Sequence, residues 1–90
     1  MSGGVLNFKA ETLPKPTYPA AAAAVRASGA VNVQVRINHN GNVVEAKAVS
    51  GHPLLQKAAE DAALRATFKP TLLAGQKVEV TGVIVYNFVP

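Results

Sequence analysis

The clearest periodicity in the chain runs from Ala30 to Asn38, where Val31, Val33, Val35 and Ile37 alternate with Asn32, Gln34, Arg36 and Asn38. Side chains along a strand point to opposite faces in turn, so this alternation predicts a strand with one buried and one solvated face. His39-Asn40-Gly41-Asn42 follows, and an Asn-Gly pair between two alternating runs predicts a hairpin. Val43 to Ser50 is then the return strand, with Val44, Ala46 and Ala48 inward and Glu45 and Lys47 outward. The small inward alanines leave room for a helix on that face.

A helical period takes over after Ser50-Gly51-His52-Pro53. From Leu54 to Thr67 the residues Leu55, Ala58, Ala59, Ala62 and Ala66 fall on one stripe, opposite Lys57, Glu60 and Asp61. Leu64 falls on the polar side and has no place in that stripe. A second, shorter helix is predicted over Ala20 to Ala27, with Pro19 at the first helical position and Gly29 at the stop. Its five consecutive alanines, Ala20 to Ala24, make a narrow cylinder suited to close packing. Ahead of it, Pro14, Pro16 and Pro19 fix φ and force an extended lead-in. Val5 to Ala10 reads as a short strand. Phe68 is a candidate core anchor, and Pro70 to Lys77 reads as a loop turning at Gly75.

Val78 to Val89 is rich in β-branched and aromatic residues, has no proline, and predicts a long strand. Val78, Val80, Ile84, Tyr86 and Phe88 share one face with Gly82. The other face begins polar at Glu79 and Thr81, then turns apolar at Val83, Val85 and Val89. A domain this small covers one face of its sheet with helices, so the second apolar set directs attention to the outer face of this strand or to its free edge.

The element order α-β-β-α-β defines an α+β domain, a three-stranded antiparallel sheet with two helices packed on one face. A meander would put the last strand beside the second. The intervening helix lets it return beside the first instead, giving the order 2-1-3 with the last strand on an edge, and this is the arrangement expected. Residues 1–12 form a flexible lead-in or a short extra strand, and residues 13–90 the domain.

Composition narrows the function classes. The chain has 90 residues, 49% hydrophobic and 16% charged, which describes one globular domain. It has no cysteine, which removes disulfides, thiolate ligands and thiol nucleophiles together. A formal charge of +4 invites a nucleic-acid reading, but the nine basic residues are spread singly from Lys9 to Lys77 and no two are adjacent. A phosphate-binding groove needs them clustered, so no nucleic-acid partner is expected. No run of about eighteen apolar residues is present, so no membrane segment is expected within the chain. His39 in the hairpin turn and His52 before Pro53 read as solvated; Glu60 and Asp61 are neighbours in sequence that do not face each other on a helix. No nucleophile elbow or phosphate loop is present. No catalytic residue, metal site or cofactor is expected, and the chain does not read as an enzyme.

An ordered set of short segments carries a resemblance: Tyr18-Pro19-Ala20, Gly29-Ala-Val-Asn-Val-Gln-Val-Arg-Ile37, Asn40-Gly41-Asn42-Val43, Val49-Ser50-Gly51, Ala58-Ala59, Phe68-Lys69-Pro70 and Gly75. From about Leu13 to Val89 the chain resembles the C-terminal domain of TonB-type energy transducers. The resemblance implies a periplasmic domain, carried in the full-length protein on a linker from an inner-membrane anchor. It would capture the TonB box, a short segment of outer-membrane TonB-dependent receptors. Energy from the proton gradient would arrive through an ExbB/ExbD-type complex, engaged by regions absent from this chain. In the family the box adds as a strand to the edge of the last strand. That places the candidate partner contacts at Val80, Thr81, Gly82, Val83, Ile84, Val85, Tyr86 and Asn87, joined by Tyr18 and Pro19 of the Tyr-Pro-Ala motif. Two departures bear on partner details: Ala66 or Thr67 stands where the family often has Trp, and Lys15-Pro16-Thr17 replaces the Gln common before Tyr-Pro. A second class of function fits the same strand, a self-associating structural domain of the envelope, because a long apolar edge can pair with its own copy in a homodimer.

Overall fold

The computed structural model describes residues 2–6 and 10–90. Its elements are β1 (Ser2–Val5), β2 (Ala10–Thr12), α1 (Ala20–Ala24), β3 (Gly29–Ile37), β4 (Val43–Ser50), α2 (Pro53–Leu64), β5 (Thr67–Phe68), β6 (Thr71–Leu73), β7 (Gln76–Val78) and β8 (Val80–Phe88). The main sheet runs in the order β1-β8-β3-β4. The antiparallel trio β8, β3 and β4 forms its body, α2 packs across all three strands, and α1 packs on α2.

β3 sits at the centre because its alternation can be satisfied on both sides. Val31, Val33, Val35 and Ile37 are buried in the core they share with Leu55 and Ala59 of α2, while Gln34 and Arg36 are exposed on the far face. Each such aliphatic burial contributes about 1.5–3 kcal/mol, so this row is a principal source of stability. Arg36 ties the outer face together through Glu45 at 3.0 Å and Glu79 at 3.7 Å. These pairs are exposed, and each is worth at most about 1 kcal/mol.

The Asn-Gly hairpin is built as the sequence suggests, with an added constraint. The Asn38 side-chain oxygen accepts from the backbone N–H groups of Asn40 and Asn42, each at 3.0 Å. Gly41 has φ +90°, and a Cβ there would lie 1.8 Å from the Phe68 carbonyl oxygen. The Phe68 N–H donates to the Gly41 carbonyl at 2.8 Å, so β5 is pressed onto the hairpin tip. In the return strand the expected inward position of Val44 is corrected. Arg36 pairs with Glu45 but Ile37 with Val43, a bulge that leaves Val44 as the extra residue. The alternation shifts by one, so Val43 is buried and Val44 exposed.

Both helices are shorter than the periodicity suggests. α2 starts at Pro53, with His52 as its N-cap accepting from the Leu54 N–H through Nδ1 at 3.1 Å. It ends at Leu64, which is exposed, because Thr67 and Phe68 leave the helix to pair with β2. The Glu60 carboxylate accepts from the Ala48 N–H at 2.7 Å and fastens the helix to β4. In α1, Pro19 is the N-cap and not the first helical residue. The helix stops before Gly29, since Arg26 takes φ +54° and the N–H groups of Arg26 and Ala27 return to the Ala23 and Ala22 carbonyls. That pair of bonds is a Schellman closure with an arginine in the left-handed position usually given to glycine.

The expected single strand Val78 to Val89 is broken at Glu79. Val78 belongs to β7, which pairs with β6, so the segment read as a loop over Pro70 to Lys77 is mostly a second hairpin. β8 runs antiparallel beside β3 in an unbroken register from Gly29 opposite Phe88 to Ile37 opposite Val80. It is not the edge of the sheet, as was expected. β1 pairs with it in parallel, Ser2 opposite Thr81 and Val5 opposite Val83, which makes the sheet four-stranded. The physical reason lies at Gly82: the missing side chain leaves a notch filled by Leu6, which is 2% exposed.

Candidate functional site

A strand presents backbone N–H and C=O groups alternately to its two neighbours, so β8 divides into two sets. The Leu6 N–H donates to the Val83 carbonyl at 2.8 Å. Val83, and by alternation Thr81, Val85 and Asn87, therefore direct their backbone outward, away from β3. Gly82, Ile84, Tyr86 and Phe88 bond inward to β3. The same alternation fixes the side chains. Val80, Ile84 and Tyr86 are buried in the core, Thr81, Val83 and Val85 are half-buried on the outer face, and Asn87 is exposed.

The candidate residues from Val80 to Asn87 are thus brought into one strand but are not presented alike. A partner lying along the outer edge would meet the backbone of the odd-numbered set, and the side chains of Val80, Ile84 and Tyr86 are turned away from it. Over Thr81 to Val83 that edge is already held by β1.

Toward the C-terminal end of β8 the neighbour changes. The proline-rich lead-in runs alongside, and Leu13, Pro14, Lys15, Pro16 and Tyr18 face Val85 to Val89 across a groove of about 360 Å³. Proline supplies no N–H and a fixed φ, so this wall is stiff and does not itself complete a sheet ladder. Tyr18 locks the wall in place. Its ring stands edge-on to Phe88, centroids 5.8 Å apart at 84°, and its hydroxyl donates to the Ala27 carbonyl. Pro19 caps α1 immediately after. Tyr18 therefore lines the groove while holding two internal partners, whereas Pro19 is outside its lining and faces α2 instead.

Beneath the groove lies Tyr86, whose buried hydroxyl has no hydrogen-bond partner among the described residues. Burial pushes its pKa from 10.0 up to about 12, and the nearby Arg65 charge offsets only part of this. No group of three or more His, Asp or Glu placed to hold a metal ion occurs among the described residues. His39 is exposed in the hairpin turn, and His52 serves as a helix cap.

Sequence reasoning missed Leu13, Pro14, Lys15 and Pro16 as lining residues and Leu6 as an occupant of the edge. The prolines were legible as extended chain, but nothing in their spacing says what they lie against. The lone Gly82 inside a strand was the available signal for Leu6, since glycine there marks close approach of another segment.

The class defined by this fold and groove is a small α+β interaction domain. Residues 14–90 match the family model described as the Gram-negative bacterial TonB protein C-terminal, and the chain belongs to that family. The structure is similar to the solution NMR structure of the Pseudomonas aeruginosa TonB CTD, with a TM-score of 0.72, 24% sequence identity, and coverage of 97% of this chain and 93% of that one. At that identity the likeness establishes the fold. A comparison with curated proteins gave no match. The resemblance carried by Tyr18-Pro19-Ala20 and the segments after it is borne out by the family match. No helix among the described residues is long and apolar enough to cross a membrane.

Proposed function

We propose that this domain is the receptor-binding end of a TonB-type energy transducer, working in the periplasm. It captures the TonB box of an outer-membrane TonB-dependent receptor as an added strand on the outer edge of β8. The single observation that carries this reading is the groove between Leu13–Tyr18 and the C-terminal part of β8 in a chain of the TonB C-terminal family. Strand addition draws its affinity from backbone hydrogen bonds and asks little of particular side chains. That fits an edge where three of the candidate side chains point into the core.

The arrangement also suits transmission of force. Several backbone bonds loaded together in shear resist pulling better than one bond loaded alone, and β8 passes the load to β3 through nine paired positions. In the full-length transducer an inner-membrane anchor and an ExbB/ExbD-type complex would supply the pull. Titration of the isotopically labelled domain with a synthetic receptor-box peptide tests this. Amide shifts are expected at Val85, Asn87 and Val89 and in the Lys15–Tyr18 wall. Shifts confined to β4 and α2, or a stable dimer formed through β8 that excludes the peptide, would overturn it.

A further inference from the structure

We infer that β1 is a displaceable self-strand, seated where a partner strand would extend along β8, and that the notch over Gly82 is the side-chain subsite it occupies. This rests on the strand-addition reading above and adds to it a competitor and a specificity element. β1 has the geometry of an added strand: it lies on the outer edge of β8, runs parallel to it, and donates from the Leu6 N–H to the Val83 carbonyl. A Cβ on Gly82 would come within 2.6 Å of the Gly4 carbonyl oxygen and 2.7 Å of Leu6 Cδ1, so glycine is the condition for β1 to dock. Leu6, at 2% exposure, is the side chain that fills the space. Among the described residues the pairing is irregular, with a register shift between Ser2 and Val5 and Gly4 at φ +65°.

A groove occupant confined to Asn87–Val89 would gain few backbone bonds. A partner that engages the whole of β8 must remove β1, and the chemistry of the vacated notch is then set. It fits an aliphatic side chain on an extended segment parallel to β8, where Leu6 now stands. Tethering makes β1 a competitor at high effective concentration, so its release is felt as a change in apparent affinity.

The test uses the full chain with Ser2→Cys and Thr81→Cys, two positions that are paired across β1 and β8 in a protein with no other cysteine. The probe is a synthetic receptor-box peptide. Oxidation, which staples β1 in place, is expected to weaken binding about ten-fold or more, and reductant to restore it in the same sample. Serine substitution along the peptide is expected to reveal one aliphatic position whose loss weakens binding to the wild-type chain and has no effect on a Gly82→Ala chain. Equal affinity in the oxidised and reduced states overturns the displacement and leaves the receptor reading standing. A serine scan indifferent to Gly82 overturns the subsite. Absence of binding in both redox states removes the receptor reading and this inference together.

Discussion

At the scale of single residues, positions that look ordinary in sequence are held by contacts far along the chain. Gly41 is a turn glycine, yet its lack of a side chain matters because the Phe68 carbonyl sits where a Cβ would be. Replacement by alanine must displace backbone and break the Phe68–Gly41 hydrogen bond, so Gly41→Ala is expected to lose about 3 kcal/mol or more in a urea melt. Tyr86 gives a prediction in pH. Its folded-state pKa, about 12, lies above the ordinary 10.0, so the neutral phenol is the favoured form in the fold. Its contribution is fully present below pH 10 and is lost as pH rises from there through about 12, because the unfolded chain ionises first. Tyr86→Phe removes both the ionisation and a buried hydroxyl without a described partner. The variant is expected to match or exceed the wild type below pH 10 and to keep its urea midpoint better as pH approaches 12.

At the scale of elements, legibility followed periodicity. β3 and the hairpin to β4 were readable because alternation and an Asn-Gly turn are local properties of the chain. The buried stripe of α2 was readable for the same reason. Its end was not, since Thr67 and Phe68 are drawn out of the helix by pairing with β2, a partner more than fifty residues away in sequence. Val44 was misplaced because a bulge shifts the alternation without leaving a mark in residue type. The break at Glu79 and the β6–β7 hairpin escaped because Val78 continues the β-branched run across it. Of the candidate site, the strand was legible, but its two backbone sets were not. Which residues face outward depends on which neighbour each one bonds. That division makes Asn87 the sharper place for a proline: its backbone points away from β3, so the substitution leaves the β3–β8 ladder whole. Asn87→Pro is expected to weaken receptor-box peptide binding about ten-fold while the amide spectrum of β3 and α2 stays in place. Unchanged affinity would mean that the outer edge at this position makes no bond to the peptide.

At the scale of the whole molecule, the fold is a stiff central trio of strands with two edges of different character. On the β4 side, α2 reaches the edge through Glu60, whose carboxylate takes the Ala48 N–H. On the β8 side, β1 holds one end and a groove walled by prolines opens at the other. The proposed docking strand is assigned to the β8 side, where this groove lies. The absence of cysteine allows each edge to be addressed separately by cross-linking. The most direct measurement is disulfide trapping of a receptor-box peptide carrying one cysteine, on chains bearing Asn87→Cys at the β8 edge or Val44→Cys on β4. Rapid cross-linking at position 87 with little at position 44 is the predicted result. Equal trapping at both positions, or a preference for position 44, would contradict the assignment of β8 as the docking edge.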